Sequence, residues 1–260
     1  INTSTIDRSN GGGIGGDISN IGNLMSDMTS SVGGGGGAGR RFTAPRGAIP
    51  SNLQDAQISA LNNDNRKIKN IYCSQLVFDK YLDNLVNITS PIKIVKSNDL
   101  DILLNNKVTH QGIVIETLPL NYSEINDSLN NDNTIIALDQ VTDPQNVGAI
   151  IRTFNFFGGK NLIITKDHSS EINGSLAKSA SGALENINII KVTNLSMTLK
   201  NLRKKGFIII GLDENSDVFL HKAKDYRNEK KVLVMGSEGK GLRRLTKENC
   251  DLLVSIANNN

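Results

Sequence analysis

Three polar side chains in the second half of the chain have the types and setting that binding of a ligand would need. Asn146 and Arg152 follow an apolar run and a Thr-Asp-Pro turn, in the stretch LDQVTDPQNVGAIIRTFNFFGG at 138–159. Glu238 lies in a glycine-rich stretch, where a carboxylate beside exposed backbone amides needs a partner. Arg152 is a natural partner for it, since a guanidinium stays protonated in proteins. The pattern therefore predicts an Arg152–Glu238 pair at a ligand-binding edge.

The glycine-rich stretch is GSEGKG at 236–241, directly after the apolar run KVLVM. Three glycines in six residues let the backbone approach a ligand closely. The spacing differs from that of a P-loop and from the Gly-x-Gly-x-x-Gly order of the dinucleotide fingerprint. Two interpretations stay open at this point, a loop that contacts a ligand and a tight turn that binds nothing.

The first pair of residues is placed by a strand, a turn and a helix. The apolar run 134–138 predicts a buried strand, which the turn at 142–144 ends. Asn146 is expected as the helix N-cap, because its side chain can accept from the open amides of the first turn. Gly158 and Gly159 are expected to end the helix. Its apolar face repeats at helical spacing and comprises Val147, Ile150, Ile151, Phe154 and Phe157.

Strands and helices alternate through the rest of this half, which predicts a parallel, doubly wound α/β sheet. In such sheets, ligands bind at the carboxyl ends of the strands. The predicted strands are 134–138, 161–165, 187–192, 207–212, 231–235 and 252–256. The predicted helices after the first are 176–184, one that starts at 195 and ends with Lys204-Lys205-Gly206, and 242–249.

The first half divides into a tail, a small module and a linker. Residues 1–50 are rich in Gly, Ser and Asn and are expected to be disordered, either as a passive tail or with Arg40, Arg41 and Arg46 touching RNA phosphates. Residues 51–118 predict a small α/β module, with helices near 56–61, 76–85 and 99–104 and strands at 69–72, 92–95 and 111–117. Residues 119–133 are polar and predict a linker. The module is basic, with Lys67, Lys69, Lys80, Lys93, Lys96 and Lys107.

Composition sets wide limits on function. The 260 residues are 38% hydrophobic with a net charge of +3, which neither requires nor excludes nucleic acid. Cys73 and Cys250 lie far apart, which favours a reduced, cytoplasmic compartment. The apolar runs are strand-sized, so no membrane span is expected. The three histidines have no metal-ligand spacing, and no metal is expected.

Three motifs together resemble the SpoU family of RNA 2′-O-ribose methyltransferases. NVGAIIR at 146–152 is similar to the first family motif, VMGSEGKGL at 234–242 to the second, and CDLLVSI at 250–256 to the start of the third. KSASGA at 178–183 and VTNL at 192–195 resemble the branch that methylates a guanosine ribose in 23S ribosomal RNA. HQGIV at 110–114 is typical of the small L30e-like substrate-binding domain of that branch.

The resemblance implies an L30e-like RNA-binding domain at 51–118 and a methyltransferase domain of the SPOUT superfamily at 134–260, with a parallel sheet and a trefoil knot. It implies S-adenosylmethionine as cofactor, a homodimer and RNA as partner. Carried over to this chain, the catalytic set is Asn146, Arg152 and Glu238, and the cofactor contacts are Gly211, Leu212, Met235, Gly236 and Ile256. Arg152 would stabilise charge on the ribose oxygen, Glu238 would hold the guanidinium, and Asn146 would contact the substrate.

The third motif of the family continues beyond the position of Asn260, where this sequence stops. We therefore expect an incomplete, C-terminally truncated methyltransferase domain, and a 260-residue chain that is inactive while the full-length protein is active. Three alternatives remain: a non-catalytic RNA-binding remnant, a transfer RNA ribose methyltransferase of the same family, and a nucleotide-binding α/β protein.

Overall fold

The computed structural model describes residues 53–80, 88–105, 110–125, 133–220, 226 and 228–256. The expected tail at 1–50, part of the linker, His221 and the last four residues lie outside these ranges, as do residues 81–85 of one predicted helix. Within the described ranges no helix has the length and apolar character needed to cross a membrane. The described strands form two separate sheets, one in each half of the chain.

The N-terminal half forms a three-stranded sheet with helices, and every element predicted there is present within a few residues of its expected bounds. The sheet order is β2-β1-β3, with β1 parallel to β2 and antiparallel to β3. Its small core consists of Ile71, Cys73, Val77 and Ile113. The elements are α1 Leu53–Leu61, β1 Ile68–Cys73, α2 Gln75–Lys80, β2 Ile92–Ile94, α3 Ser97–Leu103 and β3 Ile113–Thr117.

The C-terminal half forms a six-stranded sheet of order β6-β5-β4-β8-β7-β9, and all its paired strands are parallel, as predicted. Its strands are β4 Thr134–Asp139, β5 Asn161–Thr165, β6 Asn188–Val192, β7 Ile208–Leu212, β8 Lys231–Gly236 and β9 Leu252–Val254. Its helices are α4 Pro144–Phe156, α5 Gly174–Ala180, α6 Leu195–Lys204 and α7 Arg244–Lys247, with a 3₁₀ turn at Ala183–Asn186.

Helices cover both faces of this sheet, which explains why its strands are apolar throughout rather than alternating. On one face, Ile136 and Leu138 of β4 pack with residues of α4 and α5. On the other, Ile135 and Ala137 of the same strand pack with residues of α6. The doubly wound arrangement predicted from the sequence is therefore confirmed.

Two local predictions in this half are wrong. Asp143, rather than Asn146, is the N-cap of α4, and its carboxylate accepts from the backbone N–H of Gln145 at 2.9 Å. Pro144 takes the first helical position, where a missing N–H costs nothing, so Asn146 becomes the third helical residue. The predicted helix 176–184 is divided into α5 and the 3₁₀ turn, because Ser181 and Gly182 adopt left-handed φ of 47° and 83°.

The two sheets are joined at the 3₁₀ turn by a buried carboxylate. Glu185, whose side chain is 5% exposed, accepts from the side-chain amide of Asn63 at 2.7 Å. Its other oxygen lies 3.6 Å from Nε of Arg66, which is also nearly buried. A cavity of about 240 Å³ lies beside this contact, between α1 and β3 on one side and α5 on the other. The two halves therefore share polar contacts as well as a chain connection.

Candidate active site

A cleft of about 470 Å³ opens at the carboxyl ends of the six-stranded sheet. Strands β4 and β8 are neighbours there, and the chain leaves them toward opposite edges of the sheet. In open parallel sheets this switch point is where the following loops diverge and leave a crevice. The lining comes from the segments after β4, β7, β8 and β9 and from the first turns of α4. The volume lies within the range of small-molecule sites.

Most of the residues predicted for the site line this one cleft, although they come from four separate segments. The lining includes Asn146, Leu212, Met235, Gly236, Glu238 and Ile256. The cleft thus combines an apolar wall with a carboxylate and an amide at its mouth. The individual roles of these residues stay predictions.

Asn146 and Glu238 are in direct contact across the cleft. The side-chain amide nitrogen of Asn146 donates to Oε2 of Glu238 at 3.2 Å, although the residues are 92 positions apart. Asn146 is available for this contact because Asp143 caps the first turn of α4. Asn146 is the third residue of the helix, so its side chain is not needed as a cap. Sequence reasoning assigned both residues to the site but gave Glu238 a different partner.

Arg152 does not line the cleft, and the expected Arg152–Glu238 ion pair is absent from the described residues. Its side chain is exposed on α4. Asn146 and Arg152 are six positions apart, which corresponds to about 9 Å along the helix axis and about one and two-thirds turns around it. A helix that directs Asn146 into the cleft therefore directs Arg152 elsewhere.

Gly211, the second-last residue of β7, also does not line the cleft. A Cβ placed on Gly211 would lie 2.7 Å from Sγ of Cys250 and 2.8 Å from side-chain carbons of Leu242 and Leu253. Glycine is thus required for close packing on the opposite face of the sheet. Burial raises the pKa of the Cys250 thiol to about 12, so this thiol is protonated at neutral pH and is no nucleophile.

The glycine-rich stretch forms a tight turn along the cleft wall. The N–H of Gly241 donates to the carbonyl of Ser237 at 2.9 Å, and Gly239 and Gly241 have φ of 79° and 62°. A Cβ on Gly236 would lie 2.1 Å from the carbonyl carbon of Gly241. The glycines therefore allow the turn to fold back on the strand end, which places Glu238 in the exposed part of the turn.

Sequence reasoning missed two ion pairs that frame the cleft. Asp139, at the end of β4, is fully buried and accepts from the backbone N–H of Arg243 at 2.9 Å and from its Nε at 2.7 Å. Asp213, after β7, accepts from Nζ of Lys247 at 2.6 Å. A signal existed for Asp139, because a carboxylate ends an otherwise apolar strand. Nothing local pointed to its partner 104 positions away.

The environment of Asp213 favours its ionised form. The hydrogen bond from Lys247 lowers the pKa of its carboxyl group, and the backbone N–H of Asn215 adds to the effect, while partial burial opposes both. The cleft wall therefore contains a carboxylate that stays charged well into the acid range. Within the described ranges no cluster of His, Cys, Asp and Glu has a geometry suited to a metal ion.

Comparison with solved structures defines the class of fold. The SpoU methyltransferase AviRb from Streptomyces viridochromogenes aligns with a TM-score of 0.65 at 18% identity, over 79% of this chain and 78% of that one. An AdoMet-bound ribosomal RNA methyltransferase from Sinorhizobium meliloti aligns with a TM-score of 0.66 at 20% identity, over 95% and 87%. The chain therefore has the α/β fold of SpoU methyltransferases.

Sequence comparison relates the second half of the chain to one family. Residues 133–260 match the model of the SpoU rRNA methylase family. The 23S rRNA (guanosine-2′-O-)-methyltransferase RlmB of Ralstonia nicotianae is 43% identical over 151 residues, 56% of this chain and 60% of the relative. An uncharacterised tRNA/rRNA methyltransferase of Synechocystis is 33% identical over 216 residues, 77% and 54%. The chain spans between about half and two-thirds of the length of these relatives.

Proposed function

We propose that this protein transfers a methyl group from S-adenosylmethionine to a ribose 2′-hydroxyl of RNA, with a guanosine of 23S ribosomal RNA as target. The observation that supports this most is the convergence of Asn146, Glu238 and the apolar contacts on one cleft at the switch point of the sheet. The name of the RlmB relative supports the guanosine target. Relatives named as tRNA/rRNA methyltransferases keep transfer RNA as the second candidate.

The cleft suits a cofactor with an apolar planar part and a charged end. Leu212, Met235 and Ile256 would hold the apolar part, and Gly236 lines the cleft beside them. S-adenosylmethionine, when bound, supplies a methyl group on a sulfonium. The carboxylates of the lining, Asp213, Glu214 and Glu238, outnumber its two lysines, and this small excess of negative charge favours a cationic ligand. No residue of the cleft needs a metal for this chemistry.

The residues around the cofactor position would orient the attack rather than form a covalent intermediate. A ribose hydroxyl is a weak nucleophile, so holding it in line with the methyl group supplies much of the rate. The Asn146–Glu238 contact lies at the mouth of the cleft, where a substrate hydroxyl would enter. Asn146 would contact the ribose, and Glu238 would keep the Asn146 side chain oriented.

Arg152 would act from outside the cleft in this proposal. Arg152 and Phe156 are four positions apart on α4, so they are neighbours on the helix surface. Phe156 is 76% exposed. An exposed aromatic beside an arginine supports a homodimer in which this face of α4 meets the partner or the RNA. Charge on the ribose oxygen would then be stabilised by Arg152 once the assembly has formed.

RNA would be bound by the N-terminal half, at 51–118, in the manner of an L30e-like domain. Lys93 on β2 lies over the ring of Tyr72 on β1, with Nζ 5.1 Å from the ring centroid. Lys69 on β1 is also exposed, and its Nζ lies 3.5 Å from the carboxylate of Glu116 on β3. Cationic and aromatic side chains together are what single-stranded RNA recognition uses, through phosphate contacts and base stacking. A ribosomal RNA target also implies a cytoplasmic location.

The family resemblance extends this proposal to the chain path, as a trefoil knot in the C-terminal half. Strand β9 pairs with β7 at the edge of the sheet, after the chain has crossed the cleft wall through α7. The connection from β8 to β9 passes β7, which lies between them in the sheet. A threaded C-terminus would need a crossover of this kind. Digestion that shortens this end would then weaken cofactor binding.

The test is methyl transfer from radiolabelled S-adenosylmethionine to a 23S ribosomal RNA fragment, together with calorimetric titration of the cofactor. We expect Asn146→Ala and Glu238→Gln each to lower the rate at least about tenfold, because orientation of the ribose is lost. Glu248→Gln is the control, since Glu248 is an exposed carboxylate paired with Arg244 on α7. The 260-residue chain and a chain extended through the rest of the third family motif are both assayed. Absence of cofactor binding and of methylation in both contradicts the proposal, as does equal loss in all three variants.

A further inference from the structure

The cleft wall that carries Glu238 is one segment of chain, residues 237–247, which runs from the end of β8 through α7. Its glycine turn closes on itself through the hydrogen bond from Gly241 to Ser237. That bond sets the shape of the turn but not its position relative to β4 and β7. The pairing of β8 with β4, which ends with Gly236 opposite Asp139, sets where the turn begins. Contacts between this segment and the other strand ends set where the rest of it lies.

The first such contact joins the segment to β4. Each carboxylate oxygen of Asp139 accepts one bond from Arg243, Oδ2 from the backbone N–H and Oδ1 from Nε. Asp139 is completely buried, whereas the Arg243 side chain is 46% exposed. A buried carboxylate without donors is strongly unfavourable, so Asp139 requires Arg243 far more than Arg243 requires Asp139. Because Asp139 is buried, water cannot replace Arg243 as its partner. The contact therefore holds the segment next to the end of β4.

The second contact joins the far end of the same segment to β7 and β9. Lys247 binds the carboxylate of Asp213, whose side chain is 10% exposed. The backbone N–H of Asp213 donates to the carbonyl of Val254 on β9 at 2.9 Å. Both Asp213 and Lys247 line the cleft. The segment is thus attached at its middle to one side of the cleft and at its end to the other.

We propose that Asp139 and Arg243 are positioning residues, which hold the Glu238 turn at the distance from β4 that cofactor binding requires. Asp213 and Lys247 hold the opposite edge of the same segment. Loss of the Asp139–Arg243 contact lets the turn move away from Asn146 and widens the cleft, while the sheet itself stays folded. The inference rests on the proposed function for its ligand, S-adenosylmethionine, and on the described contacts for its geometry.

A matched pair of neighbouring arginines tests the proposal in the full 260-residue chain. Arg243→Ala removes the guanidinium bond and its charge from Asp139 but keeps the backbone donor, whereas Arg244→Ala removes the same charge from an exposed pair with Glu248. We expect the Kd for S-adenosylmethionine to rise at least about tenfold in Arg243→Ala and less than about twofold in Arg244→Ala. Arg243→Lys also keeps the positive charge beside Asp139, so its Kd should lie between those of wild type and Arg243→Ala.

A second measurement needs no ligand and keeps the proposal separate from the proposed function. Hydrogen exchange of the amides at 237–242 should accelerate in Arg243→Ala and stay unchanged in Arg244→Ala, with exchange in β5 unaffected in both. If wild type does not bind the cofactor even when it is extended through the third family motif, the proposed function fails, and this exchange result still decides the geometric part. Equal exchange in the two variants overturns the proposal, and so does faster exchange without loss of affinity in a chain that binds.

In enzyme assays the same variants separate positioning from general damage. Arg243→Ala should raise KM for S-adenosylmethionine at least about tenfold while kcat falls by a smaller factor, because saturating cofactor restores the turn. A purely structural role for Arg243 would lower the active fraction and leave KM unchanged. That result would overturn the proposal.

Discussion

The two sheets of this protein differ in how completely their strands are buried. The six-stranded sheet is covered by helices on both faces, and β4 has five consecutive buried residues, Ile135–Asp139. The three-stranded sheet has a core of four side chains, and several large apolar residues of its half remain exposed, including Leu76, Ile94 and Ile102. We therefore expect the six-stranded sheet to depend on its own contacts. We expect the three-stranded sheet to depend partly on the contacts of Asn63 and Arg66 with Glu185.

This difference divides the proposed work between the halves. The cleft needs residues from four strand ends held in fixed positions, and a sheet buried on both faces supplies that rigidity. An RNA-binding surface needs exposed basic and aromatic groups, which a sheet with one open face supplies. The contrast between the two sheets leads to three predictions, in order of decreasing effect on the free energy of unfolding.

The largest effect should come from the core of the six-stranded sheet. Phe154→Ala is expected to lower the free energy of unfolding by about 3–5 kcal/mol, because Phe154 is 2% exposed and packs directly against Gly159. Leu76→Ala in the N-terminal half should change it by no more than about 0.5 kcal/mol, since Leu76 is 74% exposed. Urea unfolding of both variants measures the contrast. Similar losses would show that the exposed side chain of Leu76 contributes as much as the core.

An intermediate effect should come from the contact between the halves. Glu185→Ala removes the acceptor of Asn63 and leaves the nearly buried Arg66 without its charge partner, for an expected loss of about 2–3 kcal/mol. Glu185→Gln should cost less, because its amide oxygen still accepts from Asn63. Hydrogen exchange in β1 and β8 under mild urea should show earlier opening of β1 alone. Simultaneous opening of both strands would contradict partial dependence of the N-terminal half on docking.

The smallest effect should appear in the pH dependence of stability. The hydrogen bond from Lys247 lowers the pKa of Asp213, and the hydrogen bond from Asn70 lowers that of Glu116. A lowered folded-state pKa stabilises the protein above the usual carboxyl range, and this stabilisation is lost as pH falls through the folded-state pKa. We therefore expect Asp213→Asn to flatten the acid limb of the stability curve.

Glu116→Gln is the matched control for this pH dependence in the other sheet. Its carboxylate is exposed, and solvent and salt screen exposed ion pairs strongly. The effect of Glu116→Gln on the acid limb should be smaller than that of Asp213→Asn, and high salt should remove the part of it that comes from the charge of Lys69. Unfolding in urea between the acid range and neutrality measures both. Equal curves for the two variants would show that partial burial at the cleft does not protect the Asp213–Lys247 pair.

Much of the fold could be predicted because its signals are local. Parallel strands buried on both faces appear as continuous apolar runs, so all six were found within a few residues of their bounds. Errors arose where two local signals compete. Asp143-Pro144 was taken only as the end of a strand, although it is also a helix start, and the left-handed backbone at Ser181 and Gly182 interrupts a run with helical spacing.

The site was predicted in part. Residues at the ends of strands could be grouped, because parallel strands bring their carboxyl ends to one edge. The partners within that group could not be chosen, and Glu238 contacts Asn146 rather than Arg152. The geometry of α4 explains why Asn146, and not Arg152, contacts Glu238. Which residues face the cleft depends in turn on where α4 begins.

The sequence by itself determined the order of the strands and helices along the chain and the types of side chain available at the carboxyl edge of the sheet. It also determined the resemblance to SpoU methyltransferases. Only the tertiary structure decided which charges meet: Asp139 with Arg243, Asp213 with Lys247, and Glu185 with Asn63 and Arg66. The physical reason is that strand and helix preferences act over a few residues. Ion pairs within the fold depend on the packing of elements tens to more than a hundred positions apart, and no local pattern encodes that packing.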